Sequence, residues 1–223
     1  MKNSITKTNI FFLSLSILFV LSDQASKLAV KGFNFLGIQH TGLRLGEQIP
    51  VIGNFLQITY IENAGMAFGI TFGSGKIILS LFSVVASIGL CWFLIKLTNY
   101  SKAVQFGTAL LLAGAVGNLI DRVFYGVFYG ASPLFYGRVV DFIQVDIPDI
   151  TIFGVTYNSW PIFNFADSFV TCGIIILLIF HKIIPDIRLL RASAPNHKHD
   201  EIDTAGNNLI QDNQNPSSEN NLQ

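Results

Sequence analysis

Four runs of roughly twenty apolar residues divide this chain, at about 10–30, 77–97, 104–124 and 162–184. A helix of that length crosses the hydrocarbon core of a bilayer, so each run predicts a membrane-spanning helix. Lys2 and Lys7 precede the first run as they would in a signal peptide. No small-x-small cleavage pattern follows promptly, however, and the apolar character continues through Leu28-Ala29-Val30, so the segment reads as a retained helix. Two long loops remain, about 31–76 and 125–161. In the first, FLQITYIENAGMAFG alternates apolar and polar positions, which predicts a strand over Phe55–Ile61 entering a glycine-rich turn. In the second, DITIFGVTYNSW predicts a hairpin turning at Gly154. The pattern gives an all-α membrane protein: a four-transmembrane-helix bundle over residues 1–191, with a small extracytoplasmic β-rich cradle formed by the outer loops. Residues 192–223 are polar and Asn/Gln-rich without apolar periodicity, and read as a disordered cytoplasmic tail.

Composition supports this class. Charged residues make up only 13% of the chain, about half the share of a soluble domain, and 51% are hydrophobic. A formal net charge of zero gives no pull toward nucleic acid. Lysine and arginine flank the runs unevenly. Lys2, Lys7, Lys96, Lys102, Lys182, Arg188 and Arg191 lie on one side, against Lys31, Arg44, Lys76 and Arg138 in the two long loops. The positive-inside rule then puts both termini in the cytoplasm and the long loops outside. Cys91 and Cys172 sit in apolar runs without paired spacing and read as packing residues. His40, His181, His197 and His199 are scattered and form no metal motif.

What the apolar pattern does not explain is a set of polar residues inside the spans. Charge there costs a few kcal/mol or more and normally faces protein or water. With a rise of about 1.5 Å per residue, Asp23 sits roughly 20 Å up the first span and Asn118 at nearly the same height in the third. Asp167, near the start of the inward-running fourth span, falls in the same outer third. Asp23 and Lys27 are four apart, as are Gly114 and Asn118, and Asn118 and Arg122, while Asn164 precedes Asp167 by three, so each set forms one stripe on a helix. Each residue alone has a plainer reading. Lys27 and Arg122 can snorkel to the interface, Asp167 can serve the helix dipole, and Asp121 can pair with a cation. Asp141 can be an ordinary loop acid, Asp146 and Asp149 solvated turn residues, and Asn63 the cap of the Gly65 turn. None of these readings accounts for the shared depth.

The chemistry available is narrow. GxSxG is absent, no His joins the cluster, and Ser26 and Lys27 as neighbours point about 100° apart on a helix. Carboxylates with amides suit hydrolysis by an activated water, two close acids sharing one proton. In order along the chain stand DQASK (23–27), NAGMAFG (63–69), GNLIDR (117–122), VVDF (139–142) and FNFADS (163–168). Over about residues 10–185 this resembles the signal peptidase II family, aspartic proteases of bacterial inner membranes. The resemblance implies cleavage of a signal peptide just before a diacylglyceryl-modified cysteine, with Asp141 and Asp167 as the catalytic pair. It also marks Asp23, Lys27, Asn63, Gly114, Asn118, Arg122 and Asn164 as supporting or substrate-contacting positions. No cofactor or metal is implied. The expected partners are lipid-modified prolipoproteins and membrane phospholipid, and the chain is expected to act as a monomer.

Two other classes compete. A proton-coupled transporter needs a polar track through LLLAGA or GIIILLIF, which neither provides. A noncatalytic assembly protein that docks through its loops would survive loss of both Asp141 and Asp167.

Overall fold

Along α1 (Lys7–Lys31) most buried side chains are polar and most exposed ones apolar, the reverse of a soluble helix. Its buried positions include Asn9, Ser16, Asp23 and Lys27, while Phe11, Ile17, Leu18 and Leu21 are about 60% exposed. That inversion is the mark of a helix bathed in hydrocarbon. The computed structural model describes residues 6–65, 75–98, 100–152 and 155–185. The helices and strands of these residues all lie in one unit, Ser4–Ile184.

Thr6 caps α1, its hydroxyl accepting the Asn9 N–H at 3.3 Å. Gly32 stops the helix with a φ of 80°. The chain then turns straight into a hairpin, β1 (Gly32–Phe35) and β2 (Ile38–Thr41). Next come β3 (Gln48–Ile52) and β4 (Leu56–Asn63), then α2 (Gly75–Lys96), whose Ser80, Ser83 and Ser87 face inward. The central helix is α3 (Lys102–Ile120), which packs on α1, α2 and the last helix. It runs on through a π-helical turn, Asp121–Tyr125, into a short α4 (Gly126–Phe128). β5 (Val139–Ile152) and β6 (Val155–Ser159) complete a four-stranded antiparallel sheet in the order β3-β4-β5-β6. α5 (Phe165–Ile179) follows, then a 3₁₀ turn at His181–Ile183.

Among the described residues three helices are long and apolar enough to span a membrane, and α5, at 15 residues, is apolar but shorter. This fourth apolar helix begins later than the expected residue 162, because Asn164 caps it and Phe163 bridges to Ile143 of β5. The expected strand at Phe55–Ile61 is β4, shifted by one or two residues. The hairpin of the second loop is β5–β6, although Gly154 lies outside the described residues. β5 is longer than expected: Asp141, Asp146 and Asp149 belong to this strand and not to a loop or turn. An apolar cluster of Val30, Tyr60, Tyr125, Val140 and Phe142 fastens the sheet to the ends of α1 and α3. Cys91 is half-buried and Cys172 exposed on α5, and both are free thiols. Met66 and the tail from residue 192 lie outside the described residues.

Candidate active site

At the head of α5, Asn164 and Asp167 form a reciprocal cap. Asn164 Oδ1 accepts the Asp167 N–H at 2.9 Å, and Asp167 Oδ2 accepts the Asn164 N–H at 3.2 Å. This satisfies two donors that a helix start leaves open, and it holds a carboxylate at the positive end of the helix dipole. Asn164 is thus the cap and not a member of the helical stripe its spacing predicts. Because its oxygen is committed to a backbone donor, its amide nitrogen must face away. There it donates to Asp141 Oδ1 at 2.6 Å, to Asn118 Oδ1 at 3.2 Å and to the Val140 carbonyl at 3.2 Å. Asn118, from α3, in turn donates to Asp167 Oδ1 at 2.8 Å. Two side-chain amides, Asn164 and Asn118, thus join the two acids from sequence-distant elements.

β5 delivers Asp141 through its register. Asp141 pairs with Ile61 and Val139 with Asn63, so Asn63 and Asp141 share one face of the sheet. β4 takes one extra residue between Ile58 and Ile61, a bulge beside the site. Phe163 is stitched to β5 by the Ile143 N–H at 2.7 Å and by its own N–H to the Ile143 carbonyl at 3.1 Å, which sets Asn164 directly beside Asp141. Asp141 is 2% exposed. Burial and the neighbouring Asp167 carboxylate push it up to about 7, and hydrogen bonds from Asn63 and Asn164 restrain the rise.

Behind these acids lies a second buried cluster. Lys27 Nζ is 2.9 Å from Asp23 Oδ2, 2.8 Å from Asp121 Oδ2 and 3.0 Å from Asn118 Oδ1, and all three charged side chains are fully buried. Lys27 has only donors, so it fixes the Asn118 oxygen toward itself and the Asn118 nitrogen toward Asp167. The two carboxylates also grip backbone. Asp23 Oδ1 accepts the Ala166 N–H at 2.9 Å, and Asp121 Oδ2 accepts the Val140 N–H at 3.2 Å. One holds the residue before Asp167 and the other the residue before Asp141. Gln24 spans the same cluster, donating to Asp121 Oδ1 at 2.9 Å and to the Gly117 carbonyl at 3.0 Å.

The remaining predicted positions surround this core. A Cβ at Gly114 would lie 2.3 Å from the Ala166 carbonyl, so glycine is what lets α3 approach α5. Arg122 leaves the helical stripe in the π-helical turn and donates to Ser83 Oγ at 3.4 Å, within electrostatic reach of Asp121, Asp167 and Asp141. Asn63 Oδ1 accepts the Gly65 N–H at 2.9 Å, so the residue caps that turn and touches Asp141 as well. Among the described residues no group of His, Cys, Asp or Glu is arranged to hold a metal.

The model of the family described as signal peptidase (SPase) II matches residues 15–183. The chain belongs to the signal peptidase II family. A lipoprotein signal peptidase from Chlorobaculum tepidum is 37% identical, over 78% of this chain and 94% of that protein. One from Pelodictyon phaeoclathratiforme is 35% identical, over 78% and 92%. A solved bacterial membrane enzyme, determined by the in meso method, aligns with a TM-score of 0.55 at 35% identity, covering 78% of this chain and 92% of its own.

Within this signal peptidase II chain, the expected residues gather as one connected group. Asp23, Lys27, Asn118, Asn164, Asp141 and Asp167 are linked by direct hydrogen bonds or ion pairs. Sequence reasoning set aside Asp121 as a simple ionic partner. It is that, and it also fixes the strand beside Asp141. The signal for it was its spacing three residues after Asn118, which puts the two on one helix face. Gln24 was missed because a polar residue beside Asp23 looks redundant until α3 packs against it.

Proposed function

We propose that this chain is an aspartic endopeptidase that removes signal peptides from diacylglyceryl-modified prolipoproteins, cutting just before the lipidated cysteine. The observation that carries this reading is the Asn164 amide at 2.6 Å from Asp141, joined through Asn118 to Asp167. Two close acids separated by amides, with no cation paired to either among the described residues, must share a proton. Both Asp167 oxygens accept N–H bonds, whereas Asp141 is driven toward its neutral form. The shared proton then rests on Asp141.

In the proposed reaction Asp167 takes a proton from water, whose oxygen attacks the scissile carbonyl carbon. Asp141 gives its proton to the carbonyl oxygen. When the tetrahedral intermediate collapses, the C–N bond breaks and the departing amine takes the proton held by Asp167, while Asp141 recovers its own. Asn118 and Asn164 hold the acids in orientation. Arg122 receives peptide or lipid-ester oxygens, and Asn63 clamps the substrate backbone while restraining Asp141. Asp23 and Lys27 brace the site without touching substrate.

The same reading places the chain in the bacterial inner membrane as a monomer. Four helices cross it, both termini are cytoplasmic, and the sheets form a cradle at the outer face. A substrate anchored by its own lipid meets the acids at that level. The test is purified protein in detergent with a diacylglyceryl prolipoprotein and a nonlipidated control, reading conversion to a lighter product. Equal cutting of the control overturns the lipid requirement, and no cutting of either overturns the activity.

A further inference from the structure

On the back of the strand pair that carries Asp141 lies a separate cavity of about 290 Å³. Successive strand residues point to opposite faces. Asn63 and Asp141 therefore face the acids, while Glu62 and Arg138 line this cavity with Lys31 and Tyr129. Lys31, the last residue of α1, is satisfied internally: its ammonium pairs with Glu62, donates to the Tyr60 hydroxyl at 3.0 Å and sits 4.3 Å from the centre of the Tyr129 ring. Burial disfavours the Glu62 charge, yet the hydrogen bonds from Lys31 and Tyr60 win and hold the carboxyl below its ordinary range.

Arg138 differs. Its side chain is 52% exposed, and among the described residues its ion-pair partner is Glu62, at 3.8 Å, already bonded to Lys31 and Tyr60. A guanidinium carries five N–H donors in a planar fork, and here that fork has little to bond. With two cations against one carboxylate, the cavity has one positive charge in excess.

Its position in the fold says what anion it meets. The cavity sits where the long helices end, between the last residue of α1 and the segment that follows α3. Around it, Phe124, Val127 and Phe128 stay exposed, and the Phe35 ring packs 6.1 Å from that of Phe128. An apolar skirt continuous with the membrane helices thus leads to a cationic, tyrosine-lined hollow. A phospholipid has the same order, acyl chains and then a phosphodiester, and basic pockets between membrane helices hold such headgroups. We infer that this cavity binds a phosphodiester anion supplied by a membrane phospholipid, with Arg138 as the principal contact. An arginine fork meets two phosphate oxygens at once, which a lone ammonium cannot do.

The experiment reads binding and not turnover, so its outcome is separate from that of the peptidase reading. Purified full-length protein is equilibrated in mixed micelles with phosphatidylglycerol or with a diacyl glycolipid of equal chain length but no phosphate, and retained lipid is counted by native mass spectrometry. Wild type is expected to retain the phospholipid preferentially, and Arg138→Gln to reduce that retention about tenfold, as loss of a charge-assisted pair predicts. An unchanged melting temperature for Arg138→Gln confirms that the fold persists, since this side chain is half exposed. Inorganic phosphate serves as competitor. Arg138-dependent phosphate binding without lipid retention keeps the anion site and assigns it to soluble phosphate. Equal retention of glycolipid and phospholipid by wild type, or undiminished retention by Arg138→Gln, overturns the proposal.

Discussion

Asp23 and Asp121 share a buried cation, whereas Asp141 and Asp167 share only amides. Both pairs belong to one hydrogen-bonded group, and Asn118 touches both: its oxygen faces Lys27 and its nitrogen faces Asp167. The difference is what each pair is free to do. A buried carboxylate bonded to a counter-charge is fixed in place, so the Lys27 cluster uses its acids as anchors for the Ala166 and Val140 N–H groups. An acid pair with no cation bonded to it among the described residues has one member pushed toward neutrality, and Asp141 rises to about 7. Compensation makes scaffold, and its absence leaves a proton available for chemistry.

The largest effects should separate the two pairs by kind. Asp141→Asn or Asp167→Asn is expected to lower turnover by about a thousandfold or more, the range of a lost acid–base partner. The fold should persist in both: Asp141 is already pushed toward its neutral form, and Asp167→Asn gives up one acceptor of the cap at the head of α5, about 1 kcal/mol. Measured activity above a few per cent of wild type in either variant would sink the assignment of chemistry to this pair.

Lys27→Met attacks the other pair. It leaves two buried carboxylates without their cation, a cost of about 3–5 kcal/mol, so thermal denaturation in detergent should show a marked loss. Adding Asp23→Asn and Asp121→Asn removes the stranded charges and should restore most of that stability. A triple variant no better than Lys27→Met alone means that the cluster does not work by charge compensation.

The same contrast explains how much was legible in the chain. Apolar run length was enough to find four apolar helices, three of them long enough to span a membrane, since a membrane helix must hide its backbone in one continuous segment. Helical spacing correctly joined Asp23 to Lys27 and put Asn118 at their level. It failed where the backbone departs from a regular helix. Asn164 is a cap, Arg122 lies in a π-helical turn, and Asp141 comes from a strand whose length the Pro148 region disguised as a turn. The β1–β2 hairpin also escaped notice, for two strands of four residues with a two-residue turn carry little alternation to detect. The residues that the five motifs mark lie in one neighbourhood of the fold. The wiring among them depends on which amide atom faces which acid, and that follows from packing.

A smaller effect should come from the helix contact that brings the pairs together. A methyl at Gly114 would lie 2.3 Å from the Ala166 carbonyl and 2.5 Å from the Val170 side chain. Gly114→Ala must then part α3 from α5, at about 1–3 kcal/mol for overpacking. Because Asn118 and Asp167 lie on those two helices, activity should fall more steeply than stability. A stable Gly114→Ala protein with full turnover would show that this close approach is not needed to hold the acids.

The finest test concerns the proton itself. Asn63 hydrogen-bonds Asp141 and so favours its charged form, opposing the burial and the Asp167 charge that favour the neutral one. In the proposed reaction Asp141 works when protonated, so kcat/KM should decline as pH rises through about 7. Removing the restraint in Asn63→Ala leaves the neutral form more stable, which moves that alkaline limb upward by about half a unit to one unit. The rate at the optimum should fall less than about tenfold, since both acids remain. A purely structural role for Asn63, through its cap on Gly65, would lower the rate without moving the limb. A limb that moves down would put the proton on some group other than Asp141, and with it the distinction between the two acid pairs would lose its chemical basis.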